Sequence, residues 1–210
     1  MLSLWAYPNV FRPTGKPSFP SREVADVVAI FGNDILCFSD KEIEFQTDVD
    51  PLLAWRRWYR EAVEESAKQL IGARRYLLRD DVTLYQDEKC LSPLPLVIPP
   101  VSERRIHLVV VANGARQACI DRMGGGGFQM VTNKVVAPND PQPFILFQPF
   151  SRHFVHVLDD TALRFLMFHV DTAPDLVHYL AEREKFLARP HAVYFQGGEC
   201  DLFLSYLGSC

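Results

Sequence analysis

Two short apolar runs joined by a glycine-asparagine turn constrain this chain more than any other stretch. Residues 27–31 (Val-Val-Ala-Ile-Phe) and 35–38 (Ile-Leu-Cys-Phe) flank Gly32, Asn33 and Asp34. β-Branched and aromatic residues on either side of such a turn specify a β-hairpin. Each run is almost wholly apolar, the pattern of a strand covered on both faces. Polar groups gather at the open end instead: Glu23 and Asp26 precede the first run, and Ser39, Asp40 and Lys41 follow the second. A hairpin makes those two ends neighbours. Folding gains nothing from crowding acids, a hydroxyl and an ammonium at the rim of an apolar sheet, so the rim is a candidate site.

Phosphodiester cleavage has a use for that set. A hard cation polarises the phosphate and lowers the pKa of an attacking water. Mg²⁺ prefers a few carboxylate oxygens plus waters, and a nearby lysine counters charge growing on the phosphate. Asp26 with Glu23 or Asp40 would supply the metal ligands, and Lys41 the cation.

Over about residues 20–80 the pattern resembles the PD-(D/E)XK nuclease superfamily. Glu23 matches the acid that members carry on a helix, Asp26 the acid opening a hairpin strand, and Ser39-Asp40-Lys41 the acid-x-Lys closing the next. Gln69 matches a glutamine that many members present on the following helix, and Tyr76 a tyrosine beyond it. The resemblance implies an α/β fold, a restriction-endonuclease-like central mixed sheet flanked by helices. It also implies Mg²⁺ or Mn²⁺ as cofactor, DNA as substrate, and a place in bacterial DNA handling or phage defence. Its site would comprise Asp26, Asp40, Lys41, Glu23 and Gln69, with Asp26, Asp40 and Glu23 on the metal. One position departs from the pattern. Side chains alternate across a strand, so Ser39 and Lys41 share a face and Asp40 points away, unless a bulge at the strand end turns it inward. A serine at the acid position opens a second reading, a catalytically inactive nuclease-like interaction domain with a protein partner in a multi-component complex.

Residues 51–78 read as a long helix. Asp50 is its N-cap and Pro51 fits the first turn. A stripe of Leu52, Trp55, Tyr59, Ala62, Ser66, Gln69, Ala73 and Tyr76 recurs at alternating spacings of three and four, as a core-facing side does. A buried amide without partners costs roughly 1–3 kcal/mol, so Gln69 has to bond either a backbone group or the carboxylate cluster. The opposite face mixes arginine, lysine and glutamate, the pattern of a solvated surface. From that surface Lys68, Arg74, Arg75 and Arg79 are the candidate nucleic-acid contacts.

Residues 1–21 hold Pro8, Pro13, Pro17, Pro20 and Gly15 and read as an extended N-terminal arm without regular structure. Residues 22–210 read as a single α/β domain. Four prolines over 91–100 mark a covered connector, and 106–112 is a buried strand. A short helix follows over 114–121, then strands over 144–147 and 153–157. Gly124–Gly127 lacks a phosphate-loop pattern and reads as a loop. Helices over 161–168 and 172–187, a strand over 193–195 and a helix from 200 complete the chain. Its abrupt end suggests the N-terminal portion of a longer polypeptide.

Charge and cysteine usage exclude other classes. No apolar run approaches the ~20 residues of a membrane helix, and the first residues lack a signal-peptide pattern. Five scattered cysteines fit reduced thiols in the cytoplasm better than disulfides or a zinc site. The net charge of −4 gives no general attraction to nucleic acid, so DNA would need a local basic patch. His153 and His156, spaced as they are, would point to opposite faces of a strand, and all six histidines read as surface or satisfied core groups.

Overall fold

The hairpin forms, from strands longer than its apolar runs. In the computed structural model, residues 6–124, 128–131, 142–147, 153–188 and 194–208 are described. Strand β2 spans Phe19–Phe31 and β3 spans Asp34–Glu42. They pair antiparallel from Phe31↔Asp34 to Val27↔Phe38, with Gly32 at the turn in a left-handed conformation (φ 57°). The expected arm is instead a third strand: β1, Ala6–Lys16, pairs antiparallel with β2. Its prolines are tolerated because β1 is the edge of the sheet, where a missing N–H leaves no ladder partner wanting.

Strand β4, Arg105–Asn113, lies on the other side of β3. The Arg105 N–H donates to the Asn33 carbonyl (2.8 Å), and the Ile43 N–H donates to the Asn113 carbonyl (3.2 Å). Early residues of one strand thus meet early residues of the other, so β3 and β4 run parallel. Parallel neighbours need a crossover, which the long helix supplies. It comprises α1 (Pro51–Tyr59), one π-helical turn (Arg60–Glu64) and α2 (Glu65–Leu77). With β7 (His156–Leu158), the strands make a mixed five-stranded sheet of order β1-β2-β3-β4-β7 in an α/β fold.

The helix is capped as its sequence requires: Asp50 accepts from the N–H groups of Leu52 (3.1 Å) and Leu53 (3.0 Å). Its buried positions keep most of the regular stripe. Trp55, Ala62, Ser66, Ala73 and Tyr76 of the stripe are buried on both sides of the π turn, and Trp58 and Leu70 fill the inward places beside Tyr59 and Gln69. Gln69 is half-buried.

Contacts divide the chain into two compact units, Met1–Ser39 with Ala67–Val109, and Asp40–Ser66 with Val110–Cys210. The first holds the hairpin and the second half of the helix. Val10, Ala25, Val28, Ile35, Cys37, Leu70 and Leu77 are sealed from solvent there. The second is organised around aromatic rings. Trp55 and Trp58 stack with centroids 5.1 Å apart, and Phe128 meets both edge-on at 5.6 and 5.3 Å. Pairs of this kind add about 0.5–1.5 kcal/mol beyond the area they bury. The Trp58 indole N–H is shared between the carbonyls of Ile43 (2.9 Å) and Asn113 (3.1 Å). Gly114, at φ 96°, makes that approach possible, because a Cβ there would lie 2.0 Å from the Ile43 oxygen.

The rest of the second unit follows the sequence closely. Helix α3 is Arg116–Met123, ended by Gly124 in the left-handed conformation (φ 71°); residues 125–127 of the glycine run lie outside the described residues. A small sheet joins β5 (Gln129–Val131) to β6 (Ile145–Phe147) in parallel and to β8 (Tyr194–Phe195) antiparallel. Helices α4 (Asp160–His169), α5 (Ala173–Leu187) and α6 (Glu199–Leu207) complete it. The strand expected over 153–157 is shorter and later, so His153 and His156 do not share one.

Candidate functional site

Register decides which rim groups meet. In the β1–β2 ladder Val10 pairs with Ala25 but Phe11 pairs with Glu23, so β2 carries one extra residue, Val24, at this point. Such a bulge shifts side-chain alternation by one. Glu23 takes the face of Phe11, opposite to Val10 and Ala25, and Asp26 alternates to that same face. The two carboxylates, three residues apart, therefore project from one side of β2. Glu23 sits on this strand and not on a helix, a correction to the sequence-based expectation; a bulged strand achieves what a helical turn was expected to do.

Carrying the β2–β3 register one step past Val27↔Phe38 brings Asp26 opposite Ser39, and directly opposed residues share a face. Ser39 is wholly buried (0% exposed), and its hydroxyl has no hydrogen-bond partner among the described residues. Asp40 is exposed and accepts a hydrogen bond from the Asn113 amide (2.7 Å). Exposure alternates from Ser39 to Asp40 as in a regular strand. It is Ser39, and not Asp40, whose side chain enters the interior. Lys41 is half-buried and repeats the face of Ser39 by alternation along β3.

On α2, Lys68 and Arg75 are exposed, seven residues apart on one helical face, and Arg74 is half-buried beside them. Tyr76 is committed elsewhere. Its hydroxyl donates to the Thr83 carbonyl (2.8 Å) and accepts from the Thr83 N–H (3.2 Å). Among the described residues there is no group of three or more His, Cys, Asp or Glu side chains that could hold a metal ion.

Two buried polar clusters lie away from the rim. Asp34, which opens β3, accepts from the Arg105 guanidinium through both oxygens (2.8 and 2.5 Å) and meets His107 Nε2 at 2.9 Å. Burial alone would raise its pKa, but the hydrogen bonds from Arg105 and His107 outweigh that and hold it below the ordinary carboxylate range. In the second unit Arg183 of α5 is sealed from solvent and donates to both oxygens of Glu199 on α6 (2.8 and 2.9 Å). Tyr179 donates to the same carboxylate (2.5 Å), and Arg183 also reaches His156 Nδ1 (3.2 Å) and the Val157 carbonyl (3.3 Å). A guanidinium only donates, so His156 Nδ1 is the acceptor there.

Sequence reasoning found neither cluster. A signal for the second was present: Arg183 continues the inward face marked by Leu176, Tyr179 and Leu180, where an arginine has to be paired.

Buried Asp159 accepts from the N–H groups of Ala162 (2.6 Å) and Phe128 (2.9 Å), capping α4, and its pKa is raised by burial despite those bonds. Burial pushes the Cys37 and Cys119 thiols up to about 12. Both stay protonated near neutrality and are poor nucleophiles. No helix among the described residues is long and apolar enough to cross a membrane. No family model, curated protein or solved structure matches the chain.

Proposed function

We propose that this chain is a metal-dependent nuclease that hydrolyses phosphodiester bonds in DNA, on a restriction-endonuclease-like sheet. The observation that carries the reading is the bulge at Val24, which sends the Glu23 and Asp26 carboxylates to one face of β2. A mixed sheet in an α/β fold supports the reading at that coarse level.

Mg²⁺ is commonly held by only one or two protein carboxylates, with waters filling its remaining positions. Glu23 and Asp26 suit that donor set, and the Ser39 hydroxyl, without a partner among the described residues, adds an oxygen on the same face. Bound there, Mg²⁺ or Mn²⁺ would polarise a phosphate and acidify a water. Lys41 provides a fixed positive charge opposite the charge that builds on the phosphate. Asp40, tied to Asn113, steadies the strand end that carries Lys41. The Gln69 amide would orient a water, and Lys68, Arg74 and Arg75 offer contacts to the sugar-phosphate backbone.

The test is cleavage of supercoiled and linear DNA with Mg²⁺ or Mn²⁺. Asp26→Ala and Lys41→Ala are each expected to lower the rate at least ~100-fold, as loss of a main electrostatic contributor does. Equal cleavage by wild type and both variants ends the assignment. A second reading is favoured by one observation, the buried serine at the acid position: a catalytically silent nuclease-like domain that binds a protein partner. Calorimetric titration with Mn²⁺ separates the two, since only a working site gives heat that Asp26→Ala removes.

A further inference from the structure

We propose that Arg12, Arg22 and Arg79 form a phosphate-binding site around the ring of Tyr76. All four residues belong to the first unit. Arg12 and Arg22 are directly opposed in the β1–β2 register. Side chains so placed share a face about 4.5–5.5 Å apart at Cβ, and like charges there destabilise the sheet. Neither side chain has an ion-pair or hydrogen-bond partner among the described residues.

Tyr76 draws a third guanidinium to the same place. Arg12 lies over its ring at 4.8 Å from the centroid and Arg79 at 5.6 Å. With the hydroxyl engaged by Thr83, the ring is a fixed platform that offers only its π-faces to these cations. One acid is engaged with the cluster among the described residues: Asp81 accepts from Arg79 through both oxygens (2.9 and 2.6 Å). Three guanidiniums against one carboxylate leave two positive charges unbalanced. Glu23 adjoins Arg22 in the chain, but the β1–β2 register is regular at this point, so alternation along β2 puts it on the opposite face. Arg104 directs its Nε and Nη1 donors to the carbonyls of Pro99, Leu77 and Arg79, so it brings no acid to the cluster. Burial, then the charges of Arg22 and Arg79, push the Arg12 pKa below its ordinary value.

A bound anion would relieve this repulsion. Planar guanidinium forks match the tetrahedral oxygens of a phosphate, which they bind in bidentate fashion. The phosphate can come from a nucleic-acid backbone or from a free nucleotide or inorganic phosphate. The inference goes beyond the nuclease reading and rests on it only for expecting the backbone as the source.

The experiment measures binding of a labelled DNA oligonucleotide to the full chain in EDTA, so that cleavage does not enter. Inorganic phosphate and ATP serve as competitors. Arg12→Gln/Arg22→Gln is expected to weaken binding about 10-fold or more at low salt and to flatten the log–log salt dependence by about two, one for each lost phosphate contact. Arg22→Gln alone, at an exposed position, should weaken binding several-fold while the melting temperature holds or rises, because one of two repelling charges is gone. A merely structural arginine would lower it instead. Competition by the oligonucleotide alone assigns the site to a backbone; equal competition by ATP or phosphate assigns it to a free phosphate. An unchanged affinity and salt slope in the double variant, or a wild type that binds none of the three probes, overturns the proposal. Binding that persists in a chain without cleavage would count against the nuclease reading alone.

Discussion

Asp34 shows how one carboxylate can make a strand end depend on pH. Its side chain is 4% exposed, whereas that of its partner Arg105 is 64% exposed. The pairing holds the folded pKa of Asp34 below the unfolded value, so the folded state binds its proton less readily than the unfolded chain does. The resulting stabilisation is present above about pH 4, the unfolded carboxylate value, and fades as the pH falls through the folded pKa. Urea midpoints compared across this range should show wild type ahead of Asp34→Asn at pH 6, with the gap closing towards pH 2. A gap that stays constant would mean that packing, and not charge, makes the difference. The sequence placed Asp34 in a turn and left His107 without a partner. Their meeting was not legible because it depends on β4 lying parallel beside β3, which no local pattern encodes.

Elements divide by how far their signals reach along the chain. The hairpin and the long helix were legible because turn chemistry, capping and apolar periodicity are local. The inward face of that helix is legible at Trp55, Ala62, Ser66, Ala73 and Tyr76, while the choice of Trp58 and Leu70 over their neighbours Tyr59 and Gln69 is made by tertiary packing. Strand β1 was missed because its prolines argue against a ladder everywhere except at an edge, and edge position is a property of the whole sheet. The bulge at Val24, on which the carboxylate face depends, is likewise a matter of register between two strands.

The Arg183–Glu199 pair joins α5 to α6 with no solvent to share the charge. Removing one partner of such a pair costs about 3–5 kcal/mol, whereas replacing both with apolar groups is often neutral. Arg183→Met should therefore unfold at distinctly lower urea than wild type, and Arg183→Met/Glu199→Leu should regain most of the loss. Equal midpoints for the single and double variants would show that the two charges are not coupled.

Across the whole molecule, neither unit is a continuous stretch of chain. Their boundaries fall inside β3, inside the crossover helix and inside β4. A fragment of residues 110–210 lacks Trp55 and Trp58, the rings on which Phe128 and Phe144 pack. It should give a poorly dispersed amide NMR spectrum, while the full chain gives a dispersed one; a well-folded fragment would contradict this account of the second core. The free edge of β1 carries a different consequence. Phe11 already exchanges both of its outward hydrogen bonds with Tyr85 (2.9 Å each), and Pro13, two residues along, has no N–H to give. A stray strand arriving at Phe11 or Pro13 finds its docking positions taken or chemically blank, so at this point the edge resists growing by recruitment of other chains.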